Sequence, residues 1–160
     1  MKITDIEAIV MVWPPPDKHY WTALRPIGRI NELVVRIHTD EGISGVGEAH
    51  GQGAPFPGVY SHDSSGNIQA AGASKIVAEV LKPLLIGEDP RDNERLWEMM
   101  FGLNHQVGWA GAGWGRPQMM SAIAGVDIAL WDIKGKAANM PVYQLLGGTR
   151  RTVPCYVTGG

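Results

Sequence analysis

Ser121-Ala-Ile-Ala-Gly-Val-Asp-Ile-Ala-Leu-Trp-Asp-Ile-Lys-Gly-Lys-Ala-Ala-Asn-Met-Pro-Val-Tyr-Gln-Leu-Leu-Gly-Gly148 is the stretch around which the chain is organised. It reads as a long apolar helix, a break at Pro141, a short helix over Val142 to Leu146 and a double-glycine stop. Pro117 opens the long helix, after a glycine-rich loop that begins at Gly108. Met119, Ile123, Val126, Leu130, Ile133 and Ala137 recur at alternating four- and three-residue steps, the spacing of one buried helical face. Ala122, Ala124, Gly125 and Ala129 are small, which predicts that another element approaches this helix closely.

Upstream, the apolar period changes from helical to alternating. Between Lys2 and Trp13, Ile6, Ala8, Val10 and Val12 share one face, with Asp5 and Glu7 on the other. That is a half-buried strand, ended by Pro14-Pro15-Pro16 because proline cannot donate to a ladder. Glu32 to Thr39 repeats the alternation, with Leu33, Val35 and Ile37 opposite Arg36 and His38. Asp40-Glu41-Gly42 is a turn with glycine where positive φ is needed, and Ile43 to Glu48 is a third strand. The expectation is an antiparallel meander of three strands, interrupted by loops at 17–29 and from Ala49 to about Asn67.

Helical spacing returns with Ile76, Val77, Val80, Leu81, Leu84 and Leu85, where Pro83 kinks or tightens the end and Gly87 stops it. Asp89-Pro90 predicts the start of a second helix, with Asp as N-cap. Leu96, Trp97, Met100 and Phe101 form its buried stripe, and Gly102 its end. Beyond the long helix, Val153-Pro-Cys-Tyr-Val-Thr158 reads as one more strand. The class is α+β.

A chain of 160 residues, 44% hydrophobic and 19% charged, has the composition of one folded domain with a real core. Its net charge of −2 and scattered Lys and Arg argue against a nucleic-acid partner. The N-terminus carries acids inside its apolar pattern and reads as neither signal peptide nor membrane span. The lone Cys155 excludes an intrachain disulfide and a multi-cysteine metal site, so a cytoplasmic setting is expected.

Three strands, then helices, then Asp127-Ile-Ala-Leu-Trp-Asp132, Gly135-Lys-Ala, Pro141 and Leu145-Leu-Gly-Gly148 form a compound signature. It resembles the enolase superfamily, in its mandelate racemase and muconate lactonizing enzyme branch. Gly42-Ile-x-Gly45-x-Gly47-Glu48 is similar to the end of that family's first hairpin, and Leu84-Leu-Ile-Gly-Glu-Asp-Pro90 to its helix junction. Val153-Pro-x-Tyr156 is similar to its first barrel strand.

The resemblance implies a capping domain over residues 1–120, bridging helices over 121–148, and a linker with the first strand of a (β/α) barrel over 149–160. The remainder of the barrel is absent from this sequence. In that family a base on the barrel removes the proton next to a carboxylate, and Mg²⁺ stabilises the enolate. The metal ligands and acid/base residues stand on later barrel strands, so the resemblance places no catalytic and no metal-binding residue in this chain. It implies a small carboxylate substrate, most simply a sugar acid undergoing dehydration, with racemisation or epimerisation and cycloisomerisation as alternatives. A homo-oligomer is expected, and the chain alone is expected to be inactive.

Residues proposed to bind substrate come from two loops and the last strand. His19, Tyr20, Trp21 and Arg25 concentrate hydrogen-bonding and apolar groups in one loop, and arginine suits a carboxylate. In the family this loop closes over substrate; the simpler reading is packing against the barrel. His50 opens the second loop, and Thr158 stands near the end of the last strand. Lys134-Gly135-Lys136 invites comparison with the family's Lys-x-Lys base pair. On a helix, residues two apart diverge, so a structural role is expected, with Asp132 and Lys136 as an i,i+4 pair. Asp127 is read as an anchor from the apolar helix to neighbouring backbone or an Arg, rather than as an active-site carboxylate.

Overall fold

The computed structural model describes residues 1–13, 20–21, 26–27, 30–49, 71–106, 116–148 and 152–156. Alternating side chains make β1 (Ile3–Trp13), β4 (Ile30–Thr39) and β5 (Ser44–Ala49), joined in the order β1-β4-β5 as an antiparallel sheet. Register puts Ala8 opposite Val35, and Val35 opposite Gly47. Leu33, Val35 and Ile37 therefore face the core with no exposure, while Arg36 and His38 line the other face beside Glu7. The core face thins along β1: Ile6 is buried, whereas Val10 is 39% exposed. Gly42 turns the β4–β5 hairpin at φ 78°, a conformation glycine adopts without a Cβ penalty.

The 17–29 segment, read above as loop, contains a second small hairpin. β2 (Tyr20–Trp21) pairs antiparallel with β3 (Pro26–Ile27). Short strands of this kind carry no periodic signal over so few residues.

Three short helical pieces follow: α1 (Ala71–Lys75), a π-helical stretch (Ile76–Leu81) and α2 (Lys82–Leu85). The Lys82 N–H reaches back to the Val77 carbonyl, the wider bond of a π turn. Pro83 follows directly; it has no N–H to donate, and its ring crowds the preceding turn. The widening still leaves Ile76, Val77, Leu81 and Leu85 fully buried.

The second main helix starts later than Asp89. α3 spans Asn93–Gln106, and the Asp92 backbone carbonyl accepts the Leu96 N–H at 3.0 Å. Asp89 instead closes a separate turn, accepting the Arg91 backbone and side-chain N–H groups at 3.0 and 2.9 Å. A carboxylate can cap whichever orphan N–H comes first, and here that belongs to the turn. Gly102 does not end α3, which continues four residues to Gln106. Trp97 and Phe101 stack on it with centroids 4.7 Å apart.

α4 (Arg116–Ala137) lies across β5 and β4. Met119, Ile123, Val126, Leu130 and Ile133 are buried, as their spacing predicts. Its contact with the sheet is backbone against backbone. A Cβ on Gly47 would run into the Gly125 carbonyl, one on Gly45 into the Ala129 carbonyl, and one on Gly125 would come within 2.7 Å of the Ala49 Cβ. Gly125 and Ala129 thus fulfil the close-approach expectation, and Ala122 is buried beside them, whereas Ala124 faces solvent. Past the end of α4, Asn139 takes the left-handed region at φ 50°, and α5 (Val142–Leu145) follows Pro141.

The expected strand over Val153 to Thr158 is not formed in its described part. Residues 152–156 are exposed and irregular, with no strand beside them among the described residues to complete a ladder.

Candidate functional site

Four of the sequence-predicted substrate residues, His19, Arg25, His50 and Thr158, lie outside the described residues. Tyr20 and Trp21 form β2, so their backbones stand in the small hairpin opposite Ile27 and Pro26; their side chains lie outside what the structure describes.

The lysine pair separates as helix geometry requires. Lys136 Nζ donates to the Ser44 carbonyl at 2.8 Å and to Asp132 Oδ2 at 2.7 Å. Lys134 Nζ lies 5.0 Å from the centre of the Trp131 ring, a cation–π contact. Asp132 Oδ2 also accepts the Val46 N–H at 2.9 Å. β5 is a sheet edge, and this carboxylate covers one of its free donors. The anchoring role assigned above to Asp127 therefore belongs to Asp132.

Asp127 sits in a crevice of about 270 Å³ between α3 and α4, lined by Asn93, Glu94, Trp97, Asp127 and Trp131. Among the described residues neither Asp127 nor Glu94 has an ion-pair partner. Burial pushes the Asp127 carboxyl above its ordinary range, and the nearby Glu94 charge adds to the effect. Asn93, at the first turn of α3, is 2% exposed, and neither Nδ2 nor Oδ1 has a hydrogen-bond partner among the described residues. Sequence reasoning found Asp127 and missed the other four. The signal lay in two spacings, Asp127 to Trp131 and Asn93 to Trp97, each placing an indole one turn from a polar group. Only the docking of α3 on α4 joins the two.

Several large apolar side chains outside the crevice are exposed. Ile128 is 49% exposed, and beyond α4 so are Tyr143, Leu146, Val153 and Tyr156, the last at 86%. Among the described residues no three His, Cys, Asp or Glu side chains come together as a metal nest, and no helix is long and apolar enough to cross a membrane.

Comparison with known proteins gives a consistent result. Residues 6–147 match the family model "Mandelate racemase / muconate lactonizing enzyme, N-terminal domain". A D-galactonate dehydratase of Verminephrobacter eiseniae is 44% identical over 119 residues, 74% of this chain and 25% of that protein. A D-mannonate dehydratase of Rhizorhabdus wittichii is 38% identical over 152 residues, 94% of this chain and 28% of that one. Among solved structures, an enolase-superfamily member from a Polaromonas species superimposes with a TM-score of 0.76 at 33% identity, covering 99% of this chain and 36% of that one. The chain spans about a quarter of the length of the curated relatives it matches.

Proposed function

The chain belongs to the mandelate racemase/muconate lactonizing enzyme family of the enolase superfamily, through its N-terminal domain, and from that premise we propose that it is the capping, specificity-bearing part of a sugar-acid dehydratase. The observation that carries the reading is the family match over 6–147, joined to exposed apolar side chains at and just beyond its C-terminal end, Tyr143, Leu146, Val153 and Tyr156. Apolar exposure of that kind fits a surface covered in the complete enzyme. Residues 1–120 serve as cap, 121–148 as bridge and 149–160 as the approach to a barrel.

The reaction is loss of the proton next to a carboxylate followed by expulsion of the β-hydroxyl. The resulting enol becomes a 2-keto-3-deoxy acid. Such a proton is very weakly acidic, so an active site must stabilise the developing negative charge. Mg²⁺ belongs to the complete enzyme by the family's chemistry, where it neutralises that charge. Among the described residues no three His, Cys, Asp or Glu side chains form a nest that could hold it. The cap supplies specificity instead. His19, Tyr20, Trp21 and Arg25 face the substrate from the first loop, with His50 from the second and Thr158 from the approach to the barrel. An arginine paired with the substrate carboxylate, beside indole and phenol surfaces, suits a polyol acid. The dehydratase names of the curated relatives favour elimination over racemisation or cycloisomerisation. The setting is cytoplasmic, consistent with a single free cysteine, and the complete enzyme is a homo-oligomer.

The test is direct. The purified chain is incubated with Mg²⁺ and a panel of galactonate, mannonate and related acids, and the 2-keto-3-deoxy product is assayed. No turnover is expected; robust turnover sinks the assignment of the chemistry to another part of the enzyme.

A further inference from the structure

The α3–α4 crevice has no part in the proposed reaction, yet it is built in a way that a purely structural pocket is not. Two carboxylates, Asp127 and Glu94, share it without a paired cation among the described residues. Lys134 on α4 lies over the ring of Trp131 and forms no ion pair with either acid. Asn93 lines the same crevice, 2% exposed, with both amide atoms unpartnered among the described residues. A buried amide left open costs stability, so its retention points to a partner that meets it.

We infer that this crevice is the seat of an arginine side chain, presented by the protein surface that covers the exposed face of α4, with its guanidinium taken by Asp127 and Glu94 beside Trp97 and Trp131. The inference rests on the capping reading above. Guanidinium fits better than ammonium because its planar fork pairs with carboxylates and stacks on indoles. The Asn93 Oδ1 accepts a further N–H. Its Nδ2 requires an acceptor, which a bare cation lacks and a polypeptide carbonyl supplies; this favours a protein partner over a small cation. Ile128, the next residue after Asp127 on α4, is exposed, so a surface arriving on α4 has an apolar contact to make beside the charged seat.

The purified chain is titrated with N-acetyl-arginine N-methylamide at fixed ionic strength, and the indole N–H resonances of Trp97 and Trp131 are followed. A saturable shift of those two resonances is expected, and none with the neutral, similarly shaped citrulline analogue. Asp127→Asn weakens binding by about tenfold or more, as loss of a charge-assisted pair requires. Glu94→Gln, at an exposed position where folding is not at stake, weakens it in the same direction. No saturable shift, an equal shift with citrulline, or unchanged binding in both variants overturns the seat. The titration does not need the covering surface, so such a result leaves the capping reading standing. Turnover by the chain alone would remove the capping reading without touching the titration.

Discussion

Asp132 and Asp127 stand five residues apart on one helix, in opposite circumstances. Asp132 accepts the Val46 N–H at the sheet edge and pairs with Lys136, which in turn holds the Ser44 carbonyl. Asp127 faces Glu94 across a crevice, with its carboxyl pushed toward the neutral form. An acid in an apolar helix is thus explained in the first case by the donors it satisfies. In the second it is a local conflict, and conflicts of this kind concentrate where a protein meets something else. Close approach of α4 to β5 over Gly45, Gly47 and Gly125 brings Asp132 to the edge strand, while Asp127 stands in the crevice that α4 shares with α3.

The strongest way to break this comparison is to part α4 from β5. Gly47→Val would drive side-chain atoms into the Gly125 carbonyl and within 2.7 Å of the Ala129 nitrogen, both backbone. Neither can yield locally, so a loss of about 3 kcal/mol in unfolding free energy by urea titration is expected. A milder cut is Asp132→Ala, which frees the Val46 N–H and the Lys136 ammonium. It should cost about 1–2 kcal/mol, and a double-mutant cycle with Lys136→Met should show coupling between the two. Asp127→Asn has the opposite sign. Removing a half-buried charge without a partner should raise stability slightly, by about 0.5 kcal/mol.

The smallest effects are in the acid limb of the stability curve, where two carboxylates pull in contrary directions. Asp127 is raised in the folded state, so its contribution favours folding at low pH and is lost as pH rises through its folded value. Asp89 is held down, from an ordinary 3.8 to about 2, first by the Arg91 side-chain hydrogen bonds. Its contribution is present above the ordinary value and is lost as pH falls toward about 2. Asp89→Asn should therefore flatten the loss of stability as pH falls below 3.8, and Asp127→Asn should remove the gain in stability that Asp127 gives as pH falls toward 3.8 from above. Both changes are partly screened at moderate salt, because these sites are solvent-accessible.

Much of the fold is legible from period alone. Leu33, Val35 and Ile37 alternate, and Ile123, Val126, Leu130 and Ile133 recur helically, because burial on one face imposes the geometry of the element on the sequence. Boundaries were less legible. The Asp89-Pro90 start gave way to Asn93, and Gly102 failed to stop α3, because capping signals are local and α3 is held by the packing of Leu96 and Met100. The two-residue strands at Tyr20–Trp21 and Pro26–Ile27 are too short to leave a pattern. At the site, Asp127 was visible as an acid in an apolar run, but its role was not.

The sequence by itself determined the class, the order of the long elements, the family and the face each of them buries, since these depend on spacing along one segment. The tertiary structure alone decided which acid anchors the sheet edge and which shares a crevice with Asn93, Glu94, Trp97 and Trp131. The reason is physical: a carboxylate's partners are set by the element that packs against it, and no residue's own neighbours in the chain carry that information.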